Sequence, residues 1–181
     1  VQQGHAFIEV GGGIRTEERI RQYLDLGVGR CILGTVAVEN FAFVERMAQR
    51  YQEKIAVGVD ARDGMVATHG WQKTSGEESF SFCRRLRDAG VKTVIYTDIS
   101  RDGTLGGTNL EAYRKLTELE GLEIIASGGI SSVKEIEALR DMGVGGAILG
   151  KAVYDGKLDL GMCLKAAGDM KDELDDELPL F

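Results

Sequence analysis

Gly12-Gly13-Ile14, then Asp25-Leu26-Gly27-Val28-Gly29, then Ile32-Leu33-Gly34 return 116 residues later as Gly128-Gly129-Ile130, Asp141-Met142-Gly143-Val144-Gly145 and Ile148-Leu149-Gly150. Counting Ile20 with Ile136, 11 of the 24 positions from 12 to 35 are identical in the second copy, with no gap. Each copy reads as a strand, a glycine-rich turn, a helix and a second strand ending in glycine. Self-similarity of this kind marks a duplicated βα architecture. A glycine turn at a helix start can aim backbone N–H groups at an anion where the helix dipole is favourable. The same glycines could serve only as tight βα turns, but two in register, at four strand ends, point to a pair of phosphate sites. Two cradles imply a ligand with a phosphate at each end.

Outward from the repeat, short apolar runs at 6–10, 30–33, 55–60, 93–98, 123–126 and 147–149 alternate with amphipathic stretches. Runs apolar on both faces and separated by helix-length segments are how buried parallel strands look. Thr16 is placed to cap a helix whose apolar face is Ile20, Leu24 and Leu26, and Ser132 opens its twin with Ile136, Leu139 and Met142. Further helices are predicted over 41–51, 77–89 and 110–119. Repeated βα units mean a right-handed parallel array, either a closed barrel or an open doubly wound sheet. The glycine turns are not GxGxxG, and polar residues close several different strands: Asp60, Thr97 with Asp98, Ser127 and Lys151. Chemistry shared among many strand ends belongs to the mouth of a (β/α)8 TIM barrel. With six strands legible against the eight of that fold, the expectation is an incomplete barrel, its last six βα units present and the first two strands missing.

Composition bounds the partners. At 181 residues with 43% apolar content the chain can bury one core, so one domain is expected over 1–165. A tail over 166–181 is set apart by six acids against one lysine between 169 and 177. The net charge of −7 disfavours nucleic acid and anionic membranes. Cys31, Cys83 and Cys163 are odd in number and scattered, which argues against a disulfide framework or a zinc site and fits the cytoplasm. Cys31 reads as a buried small hydrophobe. The chain opens Val1-Gln2-Gln3, a hint of residues upstream.

The candidate site residues follow from strand ends. Gly12, Gly13, Gly34 and Thr35 form the first phosphate cradle; Ser127, Gly128, Gly129, Gly150 and Lys151 form the second, with an ammonium in place of the threonine hydroxyl. Asp60 ends an apolar strand and can act as a general acid or base, or cap the turn that follows, where Asp63 fits better. In the polar run 96–104, Thr97 should face the mouth, and Asp102 of an Asp-Gly-Thr turn could hold sugar hydroxyls or simply make the turn. Trp71 could stack on a flat heterocycle or anchor its loop. His5 and His69 have no partner at useful spacing and receive no role.

In order along the chain, Val10-Gly11-Gly12-Gly13-Ile14-Arg15, Ile32-Leu33-Gly34-Thr35, Val59-Asp60-Ala61-Arg62-Asp63-Gly64, Gly70-Trp71, Tyr96-Thr97-Asp98-Ile99-Ser100-Arg101-Asp102-Gly103-Thr104-Leu105, Ser127-Gly128-Gly129-Ile130 and Gly150-Lys151-Ala152 resemble the phosphoribosylformimino-5-aminoimidazole carboxamide ribotide isomerases of histidine biosynthesis. The sister cyclase shares the glycine turn and the aspartate, but Asp98, Gly34 and Leu105 stand where it would carry serine, asparagine and lysine. The resemblance implies a barrel of two half-barrels and an Amadori rearrangement of a bis-phosphorylated aminoaldose, with no metal or cofactor. It implies Asp60 as general acid, Arg15, Trp71, Thr97 and Asp102 as substrate contacts, and both glycine sets as phosphate sites. The partner base of that family ends a first strand with no counterpart here, so the chain alone is expected to be inactive or nearly so. The complete protein is expected to be monomeric, and this chain to associate through unpaired strands. Two readings remain beside it: a dual-substrate isomerase that also accepts phosphoribosyl anthranilate, and a non-catalytic phosphate-binding partial barrel.

Overall fold

The computed structural model describes residues 6–68, 70–71, 73–104 and 106–168; His5, His69, Leu105 and the acidic stretch 169–181 lie outside the described residues. In chain order the elements are β1 (Glu9–Gly11), α1 (Glu17–Asp25), β2 (Arg30–Leu33), α2 (Val36–Glu39), α3 (Phe41–Tyr51), β3 (Ile55–Arg62), β4 (Met65–Thr68), β5 (Lys73–Glu78), α4 (Ser79–Asp88), β6 (Thr93–Asp98), α5 (Leu110–Leu116), β7 (Glu123–Ser127), α6 (Val133–Asp141), β8 (Gly146–Ala147), α7 (Lys151–Tyr154) and α8 (Leu160–Ala167). Six strands pair in parallel in the order β1-β2-β3-β6-β7-β8, each joined to the next through helix. This is the arc of an incomplete (β/α)8 barrel, as the strand count predicts.

The repeat is matched element for element. Helices α1 and α6 begin and end at the same repeat positions, and Thr16 and Ser132 before them are both extended, with φ of −134° and −143°. Thr16 accepts from the Arg19 amide at 3.3 Å, the side-chain cap its sequence suggests. Gly12 and Gly13 have φ of 105° and 67°; their mates Gly128 and Gly129 have 91° and 76°, backbone that favours glycine in all four places. After each helix the chain returns to the sheet through one amide: Gly29 to Ile8 C=O at 2.9 Å, Gly145 to Ile124 C=O at 2.8 Å. Ile20 and Ile136 plug the same position beneath their helices, at 0% and 4% exposure.

The core lies where the strand runs are most apolar. Ile55, Ala56, Val57 and Val59 on β3 are wholly buried, and all six residues of β6 are buried, because barrel strands are covered on both faces. Phe82, Leu86, Tyr113, Leu116, Ile136 and Leu139 cover the outer face from α4, α5 and α6. At the opposite end from the glycine turns, Arg30 ties three strands. It bonds Glu9 at 2.9 Å and the Glu53 carbonyl at 3.1 Å, approaches Glu123 at 3.5 Å, and lies over the Phe7 ring. That end is built for stability.

The structure departs from the sequence reading in several places, among them the helix predicted over 110–119, which ends at Leu116. The segment after Asp60 is a hairpin rather than a plain link: β3 runs on to Arg62, turns through Asp63-Gly64, and pairs antiparallel with β4, which pairs with β5. Both turn residues have positive φ, 52° and 79°, the backbone of a tight two-residue hairpin loop. Leu26, assigned to the helix's apolar face, is its C-cap and 66% exposed. The predicted helix over 77–89 starts two residues later, because Glu78 caps it by accepting from the Phe80 and Ser81 amides. Helix α8 continues to Ala167, past the boundary drawn at 165.

Candidate active site

Three strands bring one row of polar side chains to the mouth. Asp60 on β3 is the register neighbour of Thr97 on β6, and Thr97 is the neighbour of Ser127 on β7. Because side chains alternate along a strand, all three face inward while Asp98 faces the helices. There the Asp98 carboxylate takes bonds from the Ser100 amide and hydroxyl and from Asn109 Nδ2, bracing the 98–104 loop against the start of α5. Asp98 is therefore a structural bracket.

The first cradle is open. Gly12, Gly13, Arg15, Gly34 and Thr35 line a cleft of about 440 Å³ together with Asp60, Gly70, Thr97, Ser127 and Ile148. A side chain built on Gly12, Gly13 or Gly34 would meet nothing within 4 Å, so their backbone faces free space. The second cradle is tighter. Asp102, Ser127, Gly128, Gly129, Gly150 and Lys151 line a recess of about 80 Å³ that shares Ser127 and Ile148 with the first cleft. Gly128 and Gly129 are buried under the 98–107 loop: a Cβ on Gly128 would lie 2.9 Å from Asp98 C=O, and one on Gly129 2.7 Å from Gly107 C=O. Here glycine is required by close backbone approach as well as by φ. Both loops sit on one mouth, and the sequence-derived residues of each cradle are brought together.

Between the two, Asp60 accepts from Trp71 Nε1 at 3.0 Å. Burial pushes its carboxyl above the usual range; hydrogen bonds from Trp71 and Thr97 pull it back, the Asp102 charge adds to the rise, and the net shift is upward. Trp71 reaches Asp60 from a residue with φ of 73°, a strained backbone for a bulky side chain, and is 39% exposed.

Glu135 is the residue the sequence reading missed. Its carboxylate accepts from the Ser131 amide at 3.0 Å, from the Ser131 and Ser132 hydroxyls, and across the chain from the Thr108 amide. Burial works to raise this carboxyl, but those bonds outweigh it and hold it below its usual range. The Ser132-x-x-Glu135 spacing was the available signal, since it is a capping-box pattern; the long reach to Thr108 has no sequence mark. Cys31 is buried as expected, and burial raises its thiol pKa. Among the described residues no group of three or more His, Cys, Asp or Glu could hold a metal ion, and no helix is long and apolar enough to cross a membrane.

An inward carboxylate between two glycine turns on one mouth has the layout of a (β/α)-barrel enzyme site. Comparison with known proteins makes this specific: the model of the family described as "Histidine biosynthesis protein" matches residues 1–159. Proteins named 1-(5-phosphoribosyl)-5-((5-phosphoribosylamino)methylideneamino) imidazole-4-carboxamide isomerase are similar throughout. That of Brachyspira hyodysenteriae is 52% identical over 89% of this chain and 68% of its own length. That of Clostridioides difficile is 45% identical over 84% and 63%, and that of Geobacillus thermodenitrificans 48% over 90% and 67%. The chain belongs to this histidine biosynthesis family, and it spans about two thirds of the length of these relatives.

Proposed function

We propose that the chain is the greater part of an aldose–ketose isomerase of histidine biosynthesis, acting on a bis-phosphorylated aminoaldose of an aminoimidazole carboxamide. The observation that carries this reading is the placement of Asp60 between two glycine cradles that share Ser127 and Ile148. Gly12, Gly13, Gly34 and Thr35 hold one phosphate, and Ser127, Gly128, Gly129, Gly150 and Lys151 the other. The sugar of the aminoaldose then lies over the Asp60–Thr97 row, with Arg15 and Asp102 at its hydroxyls and Trp71 across the heterocycle.

Protonation of the ring oxygen by Asp60 breaks the C1–O bond as the nitrogen lone pair forms a Schiff base. Loss of the C2 proton gives an enolamine, and protonation at C1 with loss of the C2 hydroxyl proton gives the aminoketose, with no net oxidation. A carboxyl raised by burial suits the donor role, since it keeps its proton to higher pH than an exposed aspartate does. The C2 proton requires a base. The family resemblance assigns it to an aspartate without a match in this sequence, so the chain alone binds substrate and turns it over about 10²–10⁴-fold below a complete enzyme.

Titrating the chain with the bis-phosphorylated aminoaldose, with backbone amides followed by NMR, tests the reading. Saturable binding should shift Gly12 and Gly13 together with Gly128 and Gly129, and Asp60→Asn should keep binding while abolishing residual turnover. No saturable binding, or shifts confined to one cradle, would reject it.

A further inference from the structure

Tyr113 on α5 is wholly buried, and no part of the proposed reaction uses it. Its hydroxyl donates to Tyr96 C=O at 3.0 Å and Ser127 C=O at 2.8 Å, and accepts from the Ser127 amide at 3.1 Å. The position of those three groups matters. Rungs between parallel strands recur at every second residue, and the β6–β7 ladder is entered by Glu123 N–H to Lys92 C=O at 2.8 Å. Counted forward in twos, the rung at the mouth joins Ser127 N–H to Tyr96 C=O. The tyrosine hydroxyl bonds both groups of that rung and the Ser127 carbonyl as well. It therefore fixes the peptide on each side of Ser127 at the point where the strand turns into Gly128-Gly129. Ring packing against Tyr96, edge to face at 5.9 Å, leaves the hydroxyl little freedom to move.

We propose that Tyr113 is a positioning residue for the second anion pocket: its hydroxyl, standing in the last β6–β7 rung, sets the direction of the Ser127, Gly128 and Gly129 amides. The inference rests on the reading of that pocket as a phosphate site. Tyr113→Phe removes one oxygen, keeps the ring, and leaves the rung between Ser127 N–H and Tyr96 C=O without the hydroxyl that braces it.

The test is an inorganic phosphate titration of the chain and of Tyr113→Phe, with the Gly12–Gly13 and Gly128–Gly129 amides observed separately, alongside amide hydrogen exchange. The variant should bind phosphate about tenfold more weakly at Gly128–Gly129, a change of the size that one lost hydrogen bond brings, with Gly12–Gly13 unchanged. Ser127 should exchange at least tenfold faster while β3 amides keep their protection. Equal weakening at both cradles, or uniformly faster exchange, makes Tyr113 a packing residue only and overturns the proposal, as does no change. If the unmutated chain binds no phosphate at either cradle, the phosphate reading fails, and selective exchange at Ser127 still decides the role of the tyrosine. Should the variant not fold, the unmutated chain decides: a slowly exchanging Tyr113 hydroxyl proton that shifts on phosphate addition supports the role, and one that ignores saturating phosphate refutes it.

Discussion

Asp60 shows how a site opposes the fold that carries it. Its carboxyl is raised by burial, so the folded state holds this proton more tightly than the unfolded chain. The sign is fixed by that fact. Below the unfolded value of 3.8 both states are protonated and nothing is lost; as pH rises through the higher folded value, ionised Asp60 costs stability. Asp60→Asn should therefore melt higher than the parent at pH 7 by about 2–4 °C, on the order of 1 kcal/mol in a chain this size. The gain should shrink as pH is lowered towards 4. Thermal melts at both values check it, and a lower melting temperature at pH 7 would contradict it. Position and residue type were enough to single out Asp60 from the sequence, because a charge ending an apolar run is conspicuous. Its hydrogen bond to Trp71 was not legible, since it depends on the strained turn at 70–71.

At the level of elements, one carboxylate helps to hold the cover of the second cradle in place. Glu135 holds the 106–108 segment through the Thr108 amide, and that segment packs on Gly129. Its repeat mate is Arg19, whose guanidinium bonds Gln22 on its own helix at 3.3 Å. Because the Glu135 carboxyl lies below its unfolded value of 4.5, its stabilisation is present above that value and lost as pH falls through the lower folded one. Glu135→Gln should cost about 1–2 kcal/mol at pH 7, the range for hydrogen bonds to a charged acceptor. The difference between parent and variant should shrink as pH is lowered from 4.5 towards 3. Urea unfolding at the two pH values measures this, and an undiminished gap at pH 3 would rule out the ionised latch. The parallel strands and longer helices could be read directly, because periodicity and caps are local. Strands β4 and β5 were missed although Asp63-Gly64, which joins β3 to β4, is strong turn chemistry: the β4–β5 pairing shifts register between Met65 and Ala67, so the alternation that marks a strand is broken. Helices α2 and α7 have four residues each, too few for a helical period to show.

Taken as a whole molecule, the arc has two ends, and they are unlike. Among the described residues β1 pairs only with β2 and β8 only with β7. Unpaired strand edges expose ladder groups that another chain can satisfy. Beside β1 the arginine cluster at Glu9 and Glu123 keeps the edge charged. Beside β8 the surface is apolar: Ile148 is 43% exposed, Leu160 53% and Met162 59%, and Leu149, Leu160 and Leu164 line a groove against α6. The two-residue strand β8, Gly146–Ala147, offers little ladder of its own, so the apolar surface is the larger attraction. Association should therefore proceed through the β8 side, with hydrophobic burial supplying the drive and edge pairing the direction. Sedimentation velocity across a wide range of chain concentrations should show a reversible shift to larger species. Ala147→Lys, which puts a charge on the exposed edge, should return the chain to a monomer, whereas Glu9→Lys on the β1 side should not. A chain monomeric at every concentration, or one whose association responds to both substitutions alike, would show that the apolar edge is not what brings copies together.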